Sequence, residues 1–205
     1  MTDVQSKMAT AQIDTPRLTT TIVTLRPFSL DDVDDTYRQW LFDPEVIRYL
    51  EVRFDDRSLP ALRAFAEAAI GNPARHFFAI ETPDGNDRIG TASLRVRPLH
   101  RTTDFGYLIG DGRYWGTDAA LATQVALFDF AFGPLDLRKV HAGTYATNRA
   151  SLFNFRRLGF AREGIRRAQY LGEDRRPVDE VLFGLLRDDW ASVGRKFDHF
   201  RVTTA

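Results

Sequence analysis

Apolar positions follow two different periods along this chain, and the alternation between them predicts an α/β architecture. Thr19 to Phe28, TTTIVTLRPF, is β-branched and reads as a strand. Ser29 then stands as an N-cap before LDDVDDTYRQWLF, whose early aspartates suit the positive end of a helix. Pro44 ends or restarts that helix. DPEVIRYLE reads as a second short helix, and SLPALRAFAEAAI at 58–70 as a third, with Leu62, Phe65 and Ala69 on one side. After Gly71-Asn72-Pro73 the period shortens, and RHFFAIET, RIGTASLRVRP and TDFGYLIG predict a meander with a turn at 83–87. A helix from about Thr117 to Phe132 carries Leu121, Val125, Phe128 and Phe132 in one stripe and stops near Gly133-Pro134. A strand at 139–145, a helix at 148–158 and strands at 160–170 and 178–186 complete the order. Residues 1–17 show no periodicity and are expected to form a loose tail, leaving 18–205 as a single domain without internal repeats.

Composition narrows the function classes. At 205 residues and 43% apolar content the chain can bury one substantial core. Lys plus Arg equals Asp plus Glu at 28 each, so no net field favours nucleic acid or an anionic membrane. The absence of cysteine removes disulfides, thiolate metal sites and a thiol nucleophile. No apolar run reaches membrane-spanning length and MTDVQSKMATAQID lacks the regions of a signal peptide, so a soluble cytoplasmic protein is expected. A serine hydrolase is disfavoured because no G-x-S-x-G turn occurs and His76, His100, His141 and His199 sit near no nucleophile. They also lack paired metal-ligand spacing, so no metal is expected.

The stretch Gly112 to Phe160 carries the chemistry. A turn leading into a helix aims unpaired N–H groups and the positive end of the helix dipole at one point, which suits a pyrophosphate. RYWGTDAA at 113–120 and the set Asn148, Ser151, Phe155 and Leu158-Gly159-Phe160 resemble two motifs of the GNAT superfamily of acetyl-CoA-dependent N-acetyltransferases. The spacing is most like the branch containing the ribosomal-protein N-terminal acetyltransferases, and the order of elements agrees from about residue 19 to 186. The resemblance implies a mixed, mostly antiparallel sheet of six to seven strands with flanking helices, in which TDFGYLIG splays from KVHAGTY to form a CoA cleft.

By that likeness, the pantetheine arm pairs with the backbone near Leu108, Ile109 and Gly110. The amides of Trp115, Gly116, Thr117, Asp118 and Ala119 hold the pyrophosphate, with Arg113 and the Thr117 hydroxyl helping and Tyr114 adjacent. Asn148 bonds the pantetheine amides, a role compatible with ordinary N-capping. Asp118 departs from the family's Gly or Ala: its carboxylate either points to solvent or repels the diphosphate. Asp104 stands where many members carry a glutamate base, or is a plain strand-edge charge. The usual tyrosine acid is replaced by Phe155, so Ser151 is the implied proton donor, with Tyr170 and Tyr114 as fallbacks; Ser151 read as a helix-surface serine is the alternative. His141 is a strand residue beside the cleft.

Charge adds a hint about the acceptor. Nine acids lie between Leu30 and Asp56 against Arg38, Arg48 and Arg53, whereas seven arginines lie between Ser151 and Arg176. The acids could attract a cationic amine and the arginines could meet phosphates, or both are solvated faces. WLFDPEVIRYLEVRF at 40–54 is similar to a stretch in GNAT proteins of amino-sugar and polysaccharide pathways, which implies that Tyr49, Glu51 and Arg53 face the acceptor. Of Trp40, Tyr49 and Phe54, two are expected in the core. The implied activity is direct acetyl transfer to a primary amine of a small molecule, an amino sugar first. A peptide or protein N-terminal amine, a non-catalytic acyl-CoA-binding module, and a self-associating domain that pairs through an edge strand at 178–186 as a homodimer are the alternatives.

Overall fold

The computed structural model describes residues 14–201. Eight strands form one sheet: β1 (Leu18–Thr19), β2 (Thr24–Pro27), β3 (Arg75–Glu81), β4 (Arg88–Arg97), β5 (Thr102–Ile109), β6 (Lys139–Tyr145), β7 (Ala161–Leu171) and β8 (Pro177–Leu186). Their order is β1-β2-β3-β4-β5-β6-β8-β7, and every neighbouring pair is antiparallel except β5 with β6. The helices are α1 (Asp35–Phe42), α2 (Pro44–Ile47), α3 (Leu59–Ile70), α4 (Ala119–Phe132), α5 (Arg149–Arg157) and α6 (Arg187–Val193). This is the mixed, mostly antiparallel α/β architecture expected, with eight strands in place of six or seven.

The extra strand arises where one was expected over Thr19–Phe28. The Thr20 hydroxyl accepts from the amides of Ile22 and Val23 at 3.2 and 2.8 Å, closing a turn that folds the segment into the β1–β2 hairpin. The expected helix after Ser29 is likewise divided. Asp32 turns back to accept from the Ser29 amide at 2.8 Å, ending a 3-10 turn at Leu30–Asp32. Asp34, extended, caps α1 by accepting from the Tyr37 amide at 2.8 Å. Of the expected tail, residues 1–13 lie outside the described residues, while Thr15 bonds His76 at 3.2 Å and Arg17 pairs with Glu81 at 3.7 Å.

Two apolar clusters cover the two faces of the sheet. One face carries α4, α5 and the C-terminal segment; the other carries α1, α2 and α3. Helix α4 is buried nearly all round rather than along one stripe. The reason is α6 and the 3-10 segment after it, which cover its outer side: Asp129 accepts from Trp190 Nε1 at 2.9 Å and from Arg201 at 2.8 Å. On α3 the buried residues are Leu62, Ala66 and Ala69, whereas Phe65 is exposed and lies edge-on to Phe77. Of Trp40, Tyr49 and Phe54 only Trp40 belongs to the core; Tyr49 is half-buried and Phe54 is exposed. The edge expected at 178–186 is also corrected. Strand β8 inserts between β6 and β7, so its hydrogen-bonding groups are taken on both sides and the sheet edge is β7.

Candidate active site

The parallel pair β5–β6 is hydrogen-bonded over three registers only, Thr102↔Lys139, Thr103↔Val140 and Asp104↔His141. Beyond Asp104 the strands part, so the β6-facing backbone of β5 from Phe105 to Ile109 is an unpaired edge over roughly 17 Å. At its far end the chain turns through residues 110–118 into α4. Gly110 lets Trp40 pack on the backbone, because a Cβ there would lie 2.1 Å from the indole. Gly116 takes the positive φ of 75° that swings the turn toward the helix.

Several amides of this turn are already engaged. Tyr114, Trp115 and Thr117 donate to carbonyls within the turn, Arg113 N–H to Asp111 Oδ1 at 2.9 Å, and Ala119 N–H to Thr117 Oγ1 at 3.2 Å. The N–H groups of Gly116, Asp118 and Ala120 have no partner among the described residues. These three, rather than all five from Trp115 to Ala119, are the donors open to an anion. Asp118 is exposed and its side chain caps nothing. Arg113 is paired with Asp111 at 2.7 Å and Asp87 at 3.4 Å, which holds its guanidinium ionised well above the ordinary range. Tyr114 reaches Asp87 at 3.4 Å, and Trp115 Nε1 donates to the Ile109 carbonyl at 2.8 Å, occupying one acceptor at the end of the open strand edge. Leu108 turns its side chain toward Trp40 and the second cluster, leaving only its backbone for the cleft.

Across the opening stands α5. Asn148 Oδ1 caps it by accepting from Ser151 N–H at 3.1 Å, and the Nδ2 group makes no hydrogen bond among the described residues. Facing it from β5, Tyr107 stands near Asn154 and Ser151, both of which act to lower its phenol pKa. Burial pushes Tyr107 above its ordinary value, and those two groups offset this only in part. Phe155 is buried edge-on to Phe105, at 6.0 Å between ring centres. Tyr107 was not singled out from the sequence, although it alternates with Phe105 and Ile109 on the α4 and α5 face.

The opposite face gathers a second group. Asp104 Oδ1 accepts from Arg95 Nε at 2.6 Å, and its strand neighbour His141 is held below its ordinary value by burial, which Asp104 opposes. Further along β6, Tyr145 donates to Glu51 and accepts from Arg53 at 3.0 Å. Burial and then Glu51 push the Tyr145 phenol upward. Its ring stacks on Tyr170 at 4.2 Å and is tilted to Tyr49 at 5.7 Å, and Tyr49 donates to the Thr147 carbonyl at 3.2 Å. Tyr170 donates to Glu180 at 2.9 Å and is pushed up to about 12 by burial, then by that carboxylate. Glu180, from β8, is only 5% exposed and also accepts from Arg166 at 2.9 Å. An open cavity of about 440 Å³ adjoins this group, lined by Arg48, Tyr49, Arg53, Tyr145 and Arg176 among others.

The expected site residues thus divide between two faces. Residues 108–119, Asn148 and Ser151 surround the opened strand pair, Glu51, Arg53, Tyr49 and Tyr170 meet on the other face, and Asp104 lies beside the last paired register. Glu180 and Tyr145 were missed; Glu180 stands beside Asp179 just before the apolar run VLFGLL, and that position carries no sequence signal for burial.

An amide-lined turn at the end of a strand pair that parts is the frame of a binding protein or enzyme for a ligand with a diphosphate and an extended, amide-bearing arm. Residues 23–161 match the family model described as acetyltransferase (GNAT) domain, and the chain belongs to that family. An uncharacterized N-acetyltransferase, p20, of Bacillus licheniformis is 27% identical over 173 residues, 82% of this chain and 95% of the relative. Among solved structures, the spermidine N-acetyltransferase of Vibrio cholerae in complex with CoA and spermine superposes with a TM-score of 0.73 at 20% identity, covering 82% of this chain and 98% of that one. A GCN5-related N-acetyltransferase of Brucella melitensis gives 0.75 at 19% identity, covering 91% and 86%. At these identities the two structures speak for the fold. The protein is an acetyl-CoA-dependent N-acetyltransferase, and among its described residues no helix is long and apolar enough to cross a membrane.

Proposed function

We propose that this enzyme moves acetyl directly from acetyl-CoA to the primary amine of a small, oxygen-rich molecule, an amino sugar or its nucleotide conjugate, in the cytoplasm. The observation that carries this is the cavity beside Tyr49, Tyr145 and Arg53, on the sheet face opposite the amide-lined turn and α5. Tyrosine rings suit a sugar face, and Arg53 has no carboxylate partner among the described residues, with its buried Nε unbonded. The wall carries Arg48, Arg53 and Arg176 beside Glu173 and Asp174, which pair with Arg48 at 3.0 Å and with Arg176 at 3.4 Å, so it is mixed in charge and the amine panel decides between a sugar and a polyamine such as the substrate named for the Vibrio cholerae neighbour. Asn148, Ser151 and Leu158-Gly159-Phe160 support a place in the branch containing the ribosomal-protein acetyltransferases. Peptide N-terminal amines are therefore the competing acceptors.

Acetyl-CoA supplies an activated acyl thioester. The free N–H groups of Gly116, Asp118 and Ala120 hold its diphosphate, and the backbone of Leu108 to Gly110 with Asn148 Nδ2 holds the arm. Ser151 and Tyr107 deliver the proton that the leaving sulfur needs, in place of the tyrosine that Phe155 replaces. Glu51, Arg53, Tyr49 and Tyr170 shape the acceptor side.

The test is thiol release from acetyl-CoA against amino sugars, aminosugar nucleotides, spermidine and N-terminal peptides. Turnover is expected with the sugars first. Preference for peptides refutes the acceptor class, and tight acetyl-CoA binding without thiol release on any amine makes the chain a binding module.

A further inference from the structure

Continuing the β5–β6 register two residues past Asp104↔His141 sets Gly106 opposite Gly143, where the strands have already parted. Both glycines are exposed and belong to the face that carries Tyr145, Glu51 and the cavity. Two facing residues without side chains leave a window through the sheet at the start of the opening. A Cβ on Gly143 would lie 1.9 Å from Glu180 Oε1, so the carboxylate occupies the space directly above that side of the window. The chain builds this position deliberately: Glu180 pairs in register with Tyr145, is almost wholly buried, and is held by Tyr170 Oη and Arg166 at 2.9 Å each. A charged group buried on a strand surface is destabilising unless it is paired and hydrogen-bonded.

We propose that Glu180 is the general base of the reaction, receiving the acceptor's ammonium at the Gly106–Gly143 window. The assignment rests on the acetyl-transfer function proposed above. The ammonium gives one proton to the Glu180 carboxylate. The neutral nitrogen then bonds to the thioester carbonyl carbon while the carbon–sulfur bond breaks, and the sulfur leaves with the bonding pair. Tyr107, through Ser151, protonates that sulfur, and the second proton lost by the nitrogen replaces the one Tyr107 gave. Glu180 passes its proton to solvent, so one acetyl group moves and one proton is released per turnover. The charged and titratable groups facing Glu180 are Tyr145 on β6, Tyr170 and Arg166 on β7, and Glu51 and Arg53 on the 3-10 turn at Glu51–Phe54. Asp104, with its Oδ1 taken by Arg95, stands at the closed end of the strand pair.

Glu180→Gln keeps the shape and the hydrogen bond from Tyr170 while removing the base. Its kcat/KM for the amine should fall ~100-fold or more, with the acidic limb of the kcat/KM–pH profile abolished and the Kd for acetyl-CoA unchanged. Gly143→Ala is the second variant: the new methyl displaces the carboxylate while leaving its charge in the protein, and turnover should fall comparably with acetyl-CoA binding intact. Wild-type turnover in both variants overturns the assignment, as does loss of the acidic limb in Asp104→Asn with its retention in Glu180→Gln. A fall in melting temperature and acetyl-CoA binding in parallel with turnover makes Glu180 structural and overturns it too. A wild type that acetylates no amine overturns the proposed function and this assignment together, whereas active wild type with active variants overturns this assignment alone.

Discussion

Tyr107→Phe isolates the proton delivered to the leaving sulfur. The substitution removes one hydroxyl, the group that Ser151 and Asn154 influence, and keeps the ring beside Phe105 at 6.4 Å. Loss of a partly buried hydroxyl of this kind changes folding stability by only about 1 kcal/mol. Loss of a positioned acid lowers kcat by about 10²–10⁴, or ~3–5 kcal/mol of barrier. The two magnitudes differ enough to separate a catalytic from a structural effect. Ser151→Ala leaves Tyr107 with Asn154 and should cost less. If the two act as one relay, the double variant falls no further than Tyr107→Phe alone, because effects within a unit are not additive. Because burial raises the phenol above its ordinary value, the donor stays protonated through neutral and mildly alkaline pH, and kcat should show no loss from its titration there. The assay is steady-state kcat at saturating acceptor and acetyl-CoA, with melting temperature read in parallel. A Tyr107→Phe enzyme within about three-fold of wild-type kcat, folded as well as the parent, refutes the relay.

Three further outcomes follow from the geometry. Asp118→Asn removes an exposed charge next to the free amides; a solvent-screened charge at a separation of several ångströms is worth about 0.5–1 kcal/mol per unit of phosphate charge, so calorimetry should show acetyl-CoA binding a few-fold tighter, with the gain shrinking in high salt. Gly110→Ala places a methyl 2.1 Å from the Trp40 ring and should destabilise by about 1–3 kcal/mol, a fall of several degrees in melting temperature. A melting temperature unchanged within error would show that Trp40 moves freely. At Asp32, burial alone raises the carboxyl, but the hydrogen bonds from Arg26 and the Ser29 amide together with the nearby Arg26 and Arg88 charges outweigh it and hold the group below its ordinary value. Its contribution is therefore complete above the unfolded value near 3.9 and is lost as pH falls through the lower folded value. Asp32→Asn should cost about 3 kcal/mol at pH 7, and urea titrations should find the difference from wild type narrowing only at acid pH.

The sequence made the period of each element visible, because alternation and helical spacing are local properties. It exposed the boundaries less well wherever a side chain competes with the backbone: Thr20 folds one expected strand into two, and Asp32 and Asp34 split one expected helix. The interior place of β8 could not be read locally, since a strand's neighbours depend on how two distant crossovers fall. The same limit governs the site. The turn at 110–118 and Asn148 lie in short contiguous motifs whose family likeness can be read locally, whereas Tyr107 near Ser151 and Glu180 above Gly143 are meetings of strands and helices far apart in the chain.

That difference has a physical origin in the sheet itself. Residues two apart on β5 serve one face and their neighbours the other, so Tyr107 points toward α5 while Gly106 opens toward Glu51 and the cavity. On the proposed assignment one strand serves thiol protonation on one side and acceptor entry on the other, with no residue shared between them. The CoA side needs backbone amides at a helix start, which many sequences can supply, and its signature is short. The acceptor side is assembled from the turn at Glu51–Phe54, the end of β6 and the β7–β8 hairpin, whose side chains can change without disturbing the strand pair that parts. A substitution at Arg53 or Tyr170 should therefore alter which amine is acetylated while leaving acetyl-CoA binding untouched, and one at Asn148 should do the reverse.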